Sequence, residues 1–257
     1  MSELPGPTGR LIATRDIRPA AVPGHSFRVV ADGSVTAGAF SLTESESPKG
    51  AAVPPHAHDR SVECFYVLDG AYLLTVSGTS HEVGPGGFLL VPRGAPHQFE
   101  VVEGEARAMV LFTPAGFEEV FRQMPAIFGT PGEPGPAWVR ANEEAATRLL
   151  DGTGPGPAAL VRGPGGGRSD PVTLADAGAT GTGLRISLHD GDPLGARWAP
   201  GPSATAVYVL AGRYRFDLPG ASTVVAADEY LSLPQASQVQ ALALNAGSRA
   251  LVLHSGA

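Results

Sequence analysis

The most informative stretch of the chain is residues 50–97, which read GAAVPPHAHDRSVECFYVLDGAYLLTVSGTSHEVGPGGFLLVPRGAPH. Short apolar segments follow one another in this stretch, and Gly, Pro or Asp-Gly separates them, which is typical of antiparallel strands. The Asp69-Gly70 pair indicates a hairpin turn between strands at 63–68 and 71–77. Similar strand patterns continue on both sides, so the sequence predicts an all-β sandwich or barrel.

Three histidines and one glutamate in this stretch are candidate metal ligands. His56 and His58 are two residues apart, so their side chains share a face if they lie on a strand. Glu63 opens the next predicted strand, and His97 begins a later one. Each residue alone has an ordinary interpretation, as part of a solvated loop, a surface or a core. Together, three imidazoles and a carboxylate inside a barrel would form an N3O site, which suits Mn, Fe, Co, Ni, Cu or Zn but not Ca or Mg.

Glycines and prolines frame these residues at spacings similar to those of the two cupin motifs. In this sequence the two stretches read Gly50-x5-His56-x-His58-x4-Glu63-x6-Gly70 and Gly86-x5-Pro92-x-Gly94-x2-His97. The chain therefore resembles the cupin superfamily, although Glu100 or Val101 stands where that family often has Asn. The resemblance implies a jelly-roll barrel and one divalent transition metal per chain. It assigns the metal to His56, His58, Glu63 and His97.

The second half of the chain partly repeats the first. The segment YVLDG at 66–70 has a counterpart in YVLAG at 208–212, and FLLVP at 88–92 has one in YLSLP at 230–234. Both matches have the same offset of 142 residues. A duplicated β domain explains a constant offset, so we predict two cupin jelly-roll barrels, a bicupin.

We predict three regions along the chain. Residues 1–125 are expected to form an N-terminal cupin with the intact metal site, and residues 169–257 a degenerate C-terminal cupin without metal ligands. In one alignment the positions of the four ligands are occupied by Trp198, Pro200, Thr205 and Val239. In another alignment Gly201 and Ser203 stand in place of the first two histidines. Residues 126–168 are expected to be a helical segment and a Gly/Pro-rich linker.

Two helices are expected near the middle of the chain. The first contains Phe117, Val120, Phe121 and Met124 at helical spacing, and Pro125 is expected to end it. The second runs from about residue 136 to 150, with Pro in its first turn and Gly just beyond its end. Residues 151–169 then have the composition of a linker or loop.

The composition narrows the functional classes. The 257 residues carry a formal net charge of −7 with Lys49 as the single lysine, so no basic face for nucleic acid is expected. No apolar run is long enough for a membrane span, and the N-terminus lacks a signal-peptide pattern. One cysteine, Cys64, excludes an internal disulfide framework. These features predict a cytoplasmic protein with a small-molecule partner. The barrels could pair within one chain or in a homodimer.

The expected site suits a catalytic metal. Four protein ligands leave one or two coordination positions open on a five- or six-coordinate metal, whereas a structural zinc site is closed. Phe65, Phe88, Phe99 and Met109 are candidate pocket residues, although aromatic side chains in a barrel are more often core. An aromatic or enolic substrate that coordinates through oxygen is expected, with Glu63 as ligand and general base.

Among cupins, the two-barrel organisation with this ligand set most resembles the quercetin 2,3-dioxygenase family. That resemblance implies O2-dependent cleavage of a flavonol-type enol. The same ligand set also occurs in redox-neutral cupin cyclases and isomerases, and a non-enzymatic cupin that binds a small molecule is a third alternative. The Arg-, Ala-, Gly- and Pro-rich composition is typical of GC-rich bacteria, in which such enzymes often serve secondary metabolism.

Overall fold

The computed structural model of the chain describes residues 2–3, 10–22, 24–129, 135–164, 171–190, 197–199, 204–234 and 239–255. The chain divides into two compact units, residues 18–164 and residues 1–17 with 165–257. Antiparallel β-sheets account for most of the described structure in both units, so the predicted all-β architecture is confirmed. In the described part of the chain, no helix is long and apolar enough to cross a membrane.

The elements are numbered in chain order. The chain starts with β1 (Ser2–Glu3), β2 (Arg10–Ala13) and a 3-10 turn (Thr14–Asp16), which belong to the second unit. The first unit contains β3 (Ala20–Val22), β4 (His25–Ala31), β5 (Ser41–Ser47), β6 (Ala52–His58), β7 (Val62–Val76), β8 (Thr79–Val83), β9 (Phe88–Val91), β10 (His97–Thr113), α1 (Glu118–Phe128), α2 (Gly135–Glu144), β11 (Thr147–Leu149) and β12 (Leu160–Arg162). The second unit continues with β13 (Val172–Ala175), α3 (Ala177–Thr180), β14 (Leu184–Asp190), β15 (Arg197–Trp198), β16 (Ala204–Ala211), β17 (Arg213–Leu218), β18 (Ala221–Ala226), β19 (Glu229–Ser232), β20 (Gln240–Ala243) and β21 (Arg249–Ser255).

The first unit is built around two long strands, β7 and β10. They pair with each other, and the sheet continues as β12-β9-β7-β10-β5-β4-β3. β6 pairs with both β10 and β11, and β8 pairs with β7. Buried side chains from these strands pack with Val120, Phe121 and Met124 of α1 in one hydrophobic core.

Asp69 and Gly70 do not form the predicted hairpin turn. They lie within β7, opposite a part of β10 where the strand register shifts between Glu103 and Arg107. Gly70 has φ of 67°, and a Cβ atom there would lie 2.7 Å from the Cα atom of Ala106. At Gly70 the two bent strands therefore approach each other closely, and only glycine fits there without a steric clash.

The helical segment also differs from the prediction. α1 continues through Pro125, because the carbonyl oxygen of Pro125 accepts a hydrogen bond from the amide of Gly129 at 2.9 Å. α2 ends at Glu144, since the following residues pair with β6 as β11. The expected linker contributes β12, which pairs with β9. Residues 126–164 thus belong to the first unit rather than to a separate linker.

The second unit contains a seven-stranded sheet, β1-β2-β19-β16-β21-β14-β13, and a four-stranded sheet, β15-β20-β17-β18, within the described residues. β2 pairs with β19, so the start of the chain belongs to this unit. The predicted boundaries had instead placed residues 1–17 together with residues 18–125. The duplication is visible in the strand register. Tyr66 lies opposite Phe88 in the first unit, and Tyr208 lies opposite Tyr230 in the second, 142 residues later. Gly212 has φ of 68°, close to that of Gly70.

Candidate metal centre

Three strands of the first unit bring the four candidate ligands together. His56 and His58 lie on β6, Glu63 lies at the start of β7, and His97 is the first residue of β10. His97 lies directly opposite His56 in the pairing of β10 with β6. All four side chains are buried, and one potential ligand atom from each lies within 4.8 Å of the others. Strand alternation therefore turns both histidines of β6 toward the same point.

Two of the imidazoles are oriented by backbone carbonyl groups. Nδ1 of His56 lies 2.9 Å from the carbonyl oxygen of Pro54, and Nδ1 of His97 lies 2.9 Å from that of Ala95. A carbonyl oxygen only accepts hydrogen bonds, so in both rings Nδ1 carries a proton, and in a neutral ring Nε2 then presents a lone pair. This is the tautomer that binds a metal through Nε2.

His58 is oriented by a side chain instead. Its Nδ1 atom lies 2.9 Å from Oγ1 of Thr147, which is the first residue of β11. Thr147 is itself buried and lies opposite His58 in the pairing of β11 with β6. The ring of His58 also packs edge-on against Phe112 and Phe117. A residue outside the two sequence motifs thus holds one of the ligands.

The inner nitrogens face the carboxylate of Glu63. Nε2 of His97 lies 2.9 Å from Oε2 of Glu63, and Nε2 of His58 lies 3.3 Å from the same oxygen. With Nδ1 donating to Ala95, a neutral His97 ring has no proton on Nε2 to offer. Nε2 of His58 makes no hydrogen bond among the described residues. Lone pairs that converge on a carboxylate need a cation between them, so these residues fit a divalent metal, and together they form an N3O site for one ion.

Burial sets the charge states of the ligands. Burial lowers the pKa of His56 to about 3, assisted by the neighbouring His97 and His58, and burial also lowers the pKa of His58. Burial alone would raise the pKa of Glu63, but the contacts with His58 and His97 outweigh it, and its pKa lies below the ordinary value. At neutral pH His56, His58 and Glu63 are therefore in the unprotonated forms that metals bind.

An apolar cavity adjoins the metal site, and His56 and Glu63 form part of its wall. Six aromatic side chains line it: Phe27, Phe65, Phe99, Phe117, Phe121 and Trp138. The polar lining residues besides the two ligands are Ser45 and Asn142. Among the described residues that line the cavity, none is a lysine or an arginine. The cavity thus offers a neutral, aromatic environment next to the metal.

The four candidate pocket residues separate into two groups. Phe65 and Phe99 line the cavity, whereas Phe88 and Met109 do not. Successive residues of a strand point to opposite faces. Met109 follows that rule beside Val110, which does line the cavity. Phe88 lies opposite Tyr66, the neighbour of Phe65, and therefore also faces away. Both are buried on the other side of the sheet.

The helical wall of the cavity was not predicted from the sequence. Phe117, Phe121 and Met124 of the α1 region and Trp138 of α2 all line it. The helical spacing of Phe117, Phe121 and Met124 was the available signal, since it defines an apolar face. It did not identify the surface on which that face packs.

In the second unit, the predicted ligand positions offer no comparable set. Trp198, Thr205 and Val239 are described, and the hydroxyl of Thr205 donates to the carbonyl oxygen of Leu253 at 3.2 Å. Pro200, Gly201 and Ser203 lie outside the described residues. Within the described part of the chain, His56, His58, Glu63 and His97 are the only group of at least three such side chains that could hold a metal.

Comparisons with known proteins show which proteins this chain resembles. Residues 43–114 match the model of the cupin domain. Quercetin 2,3-dioxygenase of Bacillus subtilis (strain 168) is 32% identical over 88 residues, which are 34% of this chain and 26% of the relative. Quercetin 2,3-dioxygenase of Aspergillus japonicus is 28% identical over 111 residues, 40% of this chain and 32% of the relative. The matches therefore span about a quarter to a third of the length of these curated relatives.

Solved structures show a similar fold over nearly the whole chain. A variant of Bacillus subtilis oxalate decarboxylase covers 95% of this chain with a TM-score of 0.66 and 16% sequence identity, and 76% of that structure is matched. Another structure of the same decarboxylase, whose Mn(II) centres have been studied, has a TM-score of 0.65 and the same coverage. The predicted cupin resemblance and the two-barrel fold are confirmed.

Proposed function

We propose that this bicupin is a metal-dependent dioxygenase that acts on a phenolic or enolic small molecule of flavonol or polyketide type. One observation carries the proposal: the N3O metal site opens into a cavity with aromatic walls, and Glu63 belongs to both. A substrate in this cavity lies beside the metal and beside a carboxylate. The quercetin 2,3-dioxygenases to which the chain is similar act, by their name, on such a molecule.

The chain's own residues have separate parts in this reaction. When bound, a divalent first-row metal supplies Lewis-acid chemistry that lowers the pKa of a coordinated hydroxyl group. His56, His58 and His97 would hold the ion through Nε2. Glu63 is ionised and buried, so one of its carboxylate oxygens accepts the proton of the substrate hydroxyl. The aromatic walls orient a flat substrate and exclude water.

The composition of the cavity argues against a small dicarboxylate substrate. Oxalate, which the structural neighbours decarboxylate by their name, is a dianion at neutral pH. With Glu63 ionised, a divalent ion at the site leaves one positive charge, so an oxalate dianion would need another cation or several hydrogen-bond donors around it. The described lining contains neither lysine nor arginine. The fold is therefore shared with oxalate decarboxylase, while the cavity favours a neutral aromatic molecule.

The experiment that tests the proposal joins metal analysis with O2 uptake. Protein purified without chelators is expected to carry about one equivalent of a first-row metal per chain, measured by mass spectrometry. The metal-loaded protein is then given quercetin in a sealed cell, and the loss of flavonol absorbance is compared with O2 consumption. Equal amounts of O2 and substrate consumed would support the dioxygenase.

The other outcomes distinguish the alternatives. Equal turnover with and without O2 would replace the dioxygenase with a redox-neutral cyclase or isomerase. Absence of metal after incubation with each ion would leave the non-enzymatic binding protein. About two equivalents of metal would show that the second unit also binds an ion.

A further inference from the structure

Asn142 is a buried polar residue on an otherwise apolar wall of the cavity. It lies near the end of α2, and only 3% of its surface is exposed. Its side-chain amide group donates a hydrogen bond of 2.9 Å to the carbonyl oxygen of Trp138, one turn earlier in the helix. Since a carbonyl oxygen cannot donate, the bonded atom is Nδ2. The remaining atom, Oδ1, is therefore an acceptor.

This acceptor has no partner in the described part of the chain. The bond to Trp138 is the one hydrogen bond that the structure gives Asn142 there. Oδ1 is not among the fully buried unpaired atoms of the described residues, and Asn142 lines the cavity, so this acceptor is open to a molecule that enters the cavity. Asn is also a poor helix former compared with Leu or Ala, so α2 itself does not favour it. A ligand that fills the cavity can supply the missing donor.

Ser45, the other polar lining residue, does not specifically require a hydrogen-bond donor from the ligand. Ser45 carries a hydroxyl group, which donates or accepts, so it selects neither kind of ligand group. Oδ1 of Asn142 only accepts. In an apolar cavity, a single group of this kind fixes the orientation and the identity of a ligand.

We propose that Asn142 is a specificity-determining residue that accepts a hydrogen bond from a substrate hydroxyl group other than the one that reaches the metal. This inference rests on the proposed function, which places an aromatic oxygen ligand at the metal site. It narrows the substrate class to aromatic molecules with at least two hydroxyl groups, an enol or phenol for the metal and a second hydroxyl for Asn142. An aromatic substrate with a single hydroxyl fits the same cavity but leaves Oδ1 unpaired.

The test compares ligands that differ by one hydroxyl group. The probes are 3-hydroxyflavone, 3,7-dihydroxyflavone and 3,4′-dihydroxyflavone. Their dissociation constants are measured by fluorescence titration under nitrogen with zinc-loaded protein, so that binding is read without turnover. Wild-type protein is expected to bind at least one dihydroxyflavone about 10-fold more tightly than 3-hydroxyflavone, because discrimination by a buried hydrogen bond is of this order or larger.

Variants assign that preference to Asn142. Asn142→Leu has a similar volume without the acceptor, and it is expected to abolish the preference while 3-hydroxyflavone affinity changes less than about twofold, since that ligand lacks the donor. Val139→Ala is the matched control, because Val139 lies on the same helix and is 41% exposed. Asn142→Ser keeps an oxygen that bonds the preceding turn and also accepts, so part of the preference is expected to remain. Asn142→Ala is a second variant that removes the acceptor. Circular dichroism verifies that each variant is folded.

Each contrary result has a distinct meaning. A preference that persists in both Asn142→Leu and Asn142→Ala overturns the inference. An equal loss for all three flavones also overturns it, because it shows that Asn142 only supports α2. If wild-type protein binds none of the flavones, the inference and the proposed substrate class are both wrong. If the preference depends on Asn142 but no O2 is consumed, the inference stands and the dioxygenase does not.

Discussion

The three ligand histidines differ in what holds the outer nitrogen of the ring. Backbone carbonyl groups hold His56 and His97, and no side-chain substitution removes them. His58 depends on the hydroxyl of Thr147. A side chain that orients a metal-binding histidine typically contributes a factor of about 10–100 to metal affinity.

We therefore predict that Thr147→Val lowers metal affinity by about 10–100-fold, because valine has the same shape without the hydroxyl group. Thr147→Ser should retain most of the affinity. The measurement is competition for the ion against a chromophoric chelator. Equal affinities for wild type and Thr147→Val would show that packing alone positions His58.

Glu63 combines two roles that one substitution can separate. Glu63→Gln keeps the size and one coordinating oxygen but removes the proton acceptor, so some metal should remain bound while turnover falls by about 100-fold or more. Glu100→Gln is the control, since Glu100 is exposed on β10. Metal content and turnover are measured on the same samples. Unchanged turnover with bound metal would exclude Glu63 as the base.

At the scale of elements, the close approach of β7 and β10 at Gly70 can be measured. Gly70→Ala forces a Cβ atom to within 2.7 Å of backbone atoms at a φ of 67°. Gly104→Ala has a similar φ of 64°, but the nearest atom would be 3.9 Å away. Left-handed backbone alone costs about 1–2 kcal/mol, and overpacking adds about 1–3 kcal/mol.

We expect Gly104→Ala to lower the free energy of unfolding by about 1 kcal/mol and Gly70→Ala by about 3 kcal/mol. Urea unfolding followed by circular dichroism gives both values. The difference between the two variants measures the close approach separately from the backbone conformation. If the two variants are equally stable, β10 moves away from β7 at little cost.

The same elements show why local sequence predicts some features and not others. His56, His58, Glu63 and His97 were predictable because their spacing and strand alternation are local. The conformation at Asp69-Gly70 could not be predicted in this way. The same dipeptide occurs in a hairpin turn or, as here, inside a long strand whose partner has a register shift. Met109 was predicted to line the cavity, but its neighbour Val110 does so, because successive strand residues point to opposite faces. The helical wall depends on tertiary packing, which helical spacing alone does not specify.

At the scale of the whole molecule, the duplication was predictable and the assignment of the chain start was not. A constant offset between YVLDG and YVLAG reveals the repeat directly. The pairing of β2 with β19 joins residues more than 200 positions apart, and nothing in residues 10–13 indicates that partner. The boundaries of compact units therefore follow from hydrogen bonds between distant segments rather than from composition.

Acid stability is also a property of the whole chain. Burial lowers the pKa of both His189 and His254 to about 4, below the ordinary value of 6.5. Between these values the unfolded chain binds more protons than the folded chain, so stability falls as the pH drops from about 6.5 towards 4. We expect the melting temperature to decrease over this interval.

The variant His189→Gln with His254→Gln should show a smaller decrease, since two of the titrating groups are removed. Differential scanning calorimetry at several pH values measures both proteins. Parallel pH profiles for the variant and the wild type would mean that these two histidines do not contribute. The metal ligands contribute equally to both proteins and therefore cancel in the comparison.

The position of the cavity wall along the chain has an evolutionary consequence. The four metal ligands lie within residues 56–97, whereas much of the aromatic wall and Asn142 lie within residues 117–149. Mutations in the later segment can change which molecule is accepted while the chemistry of the ion is preserved. Thr147 is the exception, because it belongs to the later segment and holds His58. Lineages that diverge in substrate are thus expected to vary around this threonine while they retain it.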